Sequence, residues 1–150
     1  MNDIQEKTNA HPLEEIGISA EVVKAFDWMG FKNLTGIQQK CIPLMMDGHD
    51  IIAIAPTGTG KTLGFGIPML EYVNLDDQSI QEVVLAPTRE LAQQIADELT
   101  NLAHFIKGLK IAVSLASVGV TLASNYVADK DLNDKVAKKV AEAMSEKKES

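Results

Sequence analysis

Apolar positions along the first fifty residues recur at helical spacing. Ser19 can cap a helix whose inward face carries Val22, Phe26 and Met29, and Gly30 is placed to end it. A second helix is predicted to start at Thr35 with Ile37, Cys41 and Leu44 facing inward; Pro43 limits its regularity and Gly48 closes it. The pattern then changes. Ile51 to Ala55, Val83 to Ala86 and Ile111 to Leu115 are short runs that are apolar on both faces, as strands covered by helices on both sides should be. They start roughly thirty residues apart, the size of one βαβ unit, with helical patterns between them. This predicts a β-α-β-α-β order and a short parallel sheet flanked by helices, a three-layer α/β fold. From Asp131 the tail reads as one amphipathic helix with Leu132, Val136, Val140 and Met144 on one face. Asn74 to Gln81 is polar and acidic but too short to separate domains, so 1–12 is read as a polar leader and 13–150 as a single domain.

Composition narrows the partners. The 150 residues are 45% hydrophobic and 23% charged, the balance of one ordinary soluble domain. The single cysteine, Cys41, permits no internal disulfide and reads as a buried thiol in a reducing compartment. No stretch reads as a secretion signal or a membrane span, which points to the cytoplasm. A formal net charge of −7 argues against broad attraction to nucleic acid, and Arg89 is the only arginine, so any phosphate contact must be local. Asp129 to Glu149 holds six lysines and six acidic residues, the balance of a solvated helix face. His11, His49 and His104 have no ligand spacing and read as surface or packing residues, and Trp28 as an anchor for its helix.

Three stretches carry candidate chemistry. In IIAIAPTGTGKT, residues 51 to 62, a strand-like run meets a loop whose Gly58 and Gly60 let the backbone curl so that N–H groups, with Thr57 and Thr59 among them, converge on an anion. Lys61 can reach the outer phosphates of a nucleotide, and the Thr62 hydroxyl is placed to ligand the bridging Mg²⁺. In GFKNLTGIQ, residues 30 to 38, the Gln38 amide can pair with adenine in a way that guanine cannot match; equally, Thr35 and Gln38 can form a helix capping box with no ligand at all. In LAPTRELAQQ, residues 85 to 94, a strand end opens a helix whose buried stripe is read as Leu91, Ile95, Leu99, Leu102 and Ile106. Thr88 and Arg89 then lie at the positive end of the helix dipole, as an anion site or as a plain cap with a surface charge.

In order and spacing these stretches resemble the first RecA-like domain of the DEAD-box ATP-dependent RNA helicases, over about residues 13 to 112: the Q motif around Gln38, motif I as APTGTGKT and motif Ia as PTRELA. The resemblance implies a RecA-like fold, shortened relative to the family, that takes ATP and Mg²⁺. It implies that Gln38 reads adenine, that Thr57, Gly58, Thr59, Gly60, Lys61 and Thr62 hold the phosphates with Thr62 on the metal, and that Pro87, Thr88 and Arg89 contact single-stranded RNA weakly.

The departures matter as much. Leu13 stands where the family carries an aromatic that stacks on adenine, and Leu34 replaces a proline, so adenine binding is expected to be loosened. After Val113 there is no T-P-G-R, D-E-A-D or S-A-T. Asp129, in YVADKD, is the best substitute for the Mg²⁺-binding aspartate, but Lys130 follows where the water-organising glutamate is expected, and an ordinary helix start explains Asp129 equally. No catalytic residue is assigned. The expectation is an ATP-binding domain without autonomous helicase activity, which a second RecA-like domain would have to complete. The rival is a non-catalytic module, truncated or engineered, that serves as a scaffold or interaction piece.

Overall fold

The computed structural model describes residues 11–114, 119–124 and 138. α1 (Pro12–Glu15) is a single turn capped by His11, whose Nδ1 accepts from the Leu13 N–H at 3.2 Å. α2 (Ala20–Trp28) has Ser19 at its N-cap and buries Val22, Val23, Ala25 and Phe26. Ser19 does not cap through its side chain; its N–H and hydroxyl both donate to Glu71, at 3.0 and 2.7 Å. α3 (Gly36–Met46) keeps Pro43 within its length and turns Gln38, Cys41 and Ile42 inward, while Leu44, expected inside, is exposed.

α4 (Lys61–Tyr72) is the central helix, burying Leu63, Ile67, Met69 and Leu70. Its buried Gly66 lets α5 (Arg89–Leu102) approach closely: a Cβ there would run into the Leu99 side chain. The buried stripe of α5 is Ala92, Ile95, Ala96, Leu99 and Leu102; Leu91 points outward, and Ile106 lies beyond the helix, packed against the core. Phe26, Leu13, Ile42, Ile67, Leu99 and Leu102 are the largest fully buried side chains. Trp28, although 56% exposed, stacks on His104 at 4.6 Å with the rings 6° apart, which ties α2 to the end of α5.

The sheet corrects the expected topology. β1 (Ile80–Leu85), β2 (Leu109–Ser114) and β3 (Gly119–Ser124) are ordered β1-β3-β2, and β3 runs antiparallel to both neighbours. β1 and β2 share a direction but do not touch as a parallel pair. The reason is connection length: four residues separate β2 from β3, and a parallel crossover needs a dozen or more. The first predicted strand is corrected too. Residues 51–56 form no strand, and Ile52 and Ile54 are 94% and 93% exposed. Residues 74–79 lead into β1 as a turn braced by Gln81, which accepts from the Asn74 N–H at 2.7 Å and donates to the Asn74 carbonyl at 2.8 Å. The predicted tail helix and Asp129 lie outside the described residues.

Candidate nucleotide site

The loop from Thr57 to Gly60 is a tight turn built on two glycines in the left-handed region, Gly58 at φ 78° and Gly60 at φ 80°. L side chains avoid that region because Cβ crowds the next carbonyl. Gly60 is also the N-cap of α4, so the turn delivers its backbone into the positive end of a twelve-residue helix. Within the loop the Thr59 hydroxyl donates to the Pro56 carbonyl at 2.8 Å. Lys61, the first residue of α4, folds its ammonium back over the loop and donates to the carbonyls of Ala55 and Pro56, the latter at 2.7 Å. Thr62 follows, half-buried, on the same first turn. These residues fit a polyphosphate: a curled backbone, a helix N-terminus and a lysine held on the loop by weak carbonyl acceptors that a phosphate would outcompete. Among the described residues no cluster of three or more His, Cys, Asp or Glu side chains could hold a metal.

Gln38 stands against this loop. Its side chain is 1% exposed, and the capping box is formed: Oε1 accepts from the Thr35 N–H at 2.9 Å, and the Gln38 N–H reaches Thr35 Oγ1 at 3.5 Å. The free end of the amide goes further than a cap requires, because Nε2 donates to the Gly60 carbonyl at 3.0 Å. Cap and loop contact are thus one arrangement, and it leaves the amide a second lone pair on Oε1 and a second proton on Nε2. Beside it, Thr35, Gly36, Ile37, Lys40, Ala55 and Thr59 line a shallow depression between the two segments. Leu13 takes no part, being fully buried in the core. The sequence reading missed Lys40, because a lone lysine on a helix carries no pattern.

Pro87, Thr88 and Arg89 are exposed at the start of α5, where Thr88 Oγ1 caps the helix by accepting from the Leu91 N–H at 3.2 Å. The open groove that continues from Arg89 is also lined by Glu90, Asp97 and Glu98, which oppose a polyanion. On β1, burial pushes the Glu82 carboxyl above the ordinary carboxylate range. No described helix is long and apolar enough to cross a membrane.

The chain is thus a helical α/β body with a lysine-bearing glycine loop at a helix start. The DEAD/DEAH box helicase family matches residues 35–141, well over half of the chain, and the chain belongs to that family. Among curated relatives it is 52% identical over 87 residues to the DEAD-box ATP-dependent RNA helicase CshA of Geobacillus kaustophilus, covering 58% of this chain and 19% of that protein. Against CshA of Bacillus subtilis it is 46% identical over 87 residues, covering 58% and 18%. Of solved structures, the Methanococcus jannaschii DEAD box protein matches with TM-score 0.57 and 43% identity over 59% of this chain and 24% of that one. Saccharomyces cerevisiae Dbp5 bound to RNA and ADP BeF3 matches with TM-score 0.63 and 34% identity over 72% and 28%. The α/β RecA-like class stands with these neighbours. The chain spans less than a fifth of the length of the curated relatives.

Proposed function

We propose that this chain binds Mg²⁺-ATP as the nucleotide-binding part of a DEAD-box helicase first domain, in the cytoplasm, and that by itself it neither turns ATP over at a useful rate nor unwinds RNA. The observation that carries the reading is the joint geometry of the loop and Gln38: two left-handed glycines feed a helix N-terminus, Lys61 lies over the loop, and a buried amide is fixed to Gly60. Thr57, Gly58, Thr59 and Gly60 offer backbone to the phosphates, Lys61 neutralises the outer ones, Thr62 takes the metal, and Gln38 faces the base. Bound Mg²⁺ would neutralise charge between the outer phosphates. Pro87, Thr88 and Arg89 touch single-stranded RNA, weakly, because one arginine among three nearby carboxylates offers few phosphate contacts.

Hydrolysis requires more than binding. A water must be aligned and the developing charge met, and an arginine finger alone is worth about 10³–10⁵ in rate. The lone Arg89 is committed to the segment assigned to RNA, so a second RecA-like domain is needed for helicase action. Titration with ATP, ADP and GTP, with and without Mg²⁺, tests binding, and phosphate release with and without RNA tests turnover. Mg²⁺-dependent ATP binding without release is the expected result; RNA-stimulated release that disappears in Lys61→Ala overturns the inactive reading. The rival, a non-catalytic interaction piece, draws support from the exposed Ile52 and Ile54, and absence of nucleotide binding would favour it.

A further inference from the structure

α3 and α4 are fastened to each other at both ends. At the leading end Gln38 Nε2 donates to the Gly60 carbonyl at 3.0 Å. At the trailing end the Tyr72 hydroxyl, on the last residue of α4, lies 2.9 Å from the Met45 carbonyl and 2.8 Å from the Met46 carbonyl. The two helices therefore run side by side in the same direction, with eleven and twelve residues, each about 17 Å long.

The trailing contact fills a specific vacancy in the backbone. The last four carbonyls of a helix have no partner within it. Three of those in α3 are met by the chain that follows: Pro43 by the Asp47 N–H, Leu44 by the His49 N–H and Met45 by the Gly48 N–H, at 2.9 to 3.0 Å. The fourth, Met46, receives the Tyr72 hydroxyl. A phenol has one proton to give, so Tyr72 shares it between neighbouring carbonyls and grips the end of α3 from the end of α4.

We propose that Tyr72 is a positioning residue for base selection, setting the place of α3 on α4 and thereby holding Gln38 against the phosphate loop from the far end of both helices. This rests on the nucleotide reading given above. Lys61 and Thr62 follow the loop directly in sequence as the first residues of α4, whereas Gln38 reaches the loop only through the placement of α3. Loss of the trailing grip therefore acts on discrimination between bases and spares the phosphate affinity that ATP and GTP share.

The test is calorimetric titration of the full chain with Mg²⁺-ATP and Mg²⁺-GTP in the wild type, Tyr72→Phe, Gln38→Ala and the double variant. Phenylalanine keeps the ring and removes only the donor. Tyr72→Phe is expected to weaken ATP by about two- to tenfold, the range of one net hydrogen bond, with GTP unchanged. In the Gln38→Ala background the same substitution is expected to do nothing, since the group it positions is gone. An unchanged ATP to GTP ratio in Tyr72→Phe, an equal loss for both nucleotides, or the same loss in both backgrounds overturns the proposal. Failure of the nucleotide reading looks different: wild-type ATP binding is then absent or indifferent to Lys61→Ala.

Discussion

The buried amide of Gln38 and the carbonyl of Gly60 are joined at 3.0 Å, across 22 residues of sequence, and a Cβ at Gly60 would run into that amide and force it to shift. The contact couples the start of α3 to the loop that opens α4, so the two glycines of that loop are not equivalent. Gly58 has a left-handed φ but open space around a Cβ; Gly60 has a left-handed φ and the Gln38 amide.

Gly58→Ala is accordingly expected to cost about 1–2 kcal/mol, the strain of a left-handed L-residue. Gly60→Ala should cost more, since Gln38 must also move. Urea melts of both variants check this, and equal costs would show that the Gln38 contact carries no energy.

Lys61→Ala should weaken ATP by about 1.5–3 kcal/mol, the worth of a charge-assisted hydrogen bond to phosphate. Its effect on folding should be small, because the ammonium rests on the carbonyls of Ala55 and Pro56 in a loop that is largely exposed. Titration and melting on the same sample separate the two, and unchanged ATP affinity would refute the phosphate-loop assignment.

Glu82 yields a pH dependence. Burial raises its pKa in the folded chain, so the folded state prefers the neutral carboxyl. The resulting penalty is absent below the unfolded pKa, about 4.3, and fully present above the folded one. Glu82→Gln should therefore raise the Tm at pH 7, and the gain should shrink as the pH falls toward 4. A gain that persists undiminished at pH 4 would assign the effect to packing.

Two isoleucines of the same chemistry should respond oppositely. Ile67 is fully buried in α4, and Ile67→Ala should cost about 2–5 kcal/mol. Ile54, 93% exposed, should cost within about 0.5 kcal/mol when changed to Thr. Because an unpaired run of β-formers invites pairing with another chain, Ile52→Thr with Ile54→Thr should also reduce self-association. Sedimentation velocity at two concentrations reads that outcome.

Features that depend on near neighbours could be read from the chain alone. The helix starts at Ser19, Thr35 and Thr88, the capping box of Thr35 and Gln38, and the glycine turn before Lys61 are decided within a few residues, and each stands where the pattern placed it. The α/β RecA-like class was legible for the same reason: three local motifs in the right order specify a family. Which apolar runs pair was settled by long-range packing. Ile51 to Ala55 and Val83 to Ala86 look alike as strands, yet residues 80–85 join a sheet and residues 51–56 do not, because pairing depends on what lies alongside rather than on the run itself. The antiparallel β3 followed from a four-residue connection whose consequence is geometric, and the apolar pattern is blind to it. Leu44 and Leu91 were placed inward by periodicity and stand outside, since a helix shows only as much of its stripe as its neighbours cover. The links from Gln38 to Gly60 and from Tyr72 to Met46 span 22 and 26 residues, and nothing in either segment announces its partner.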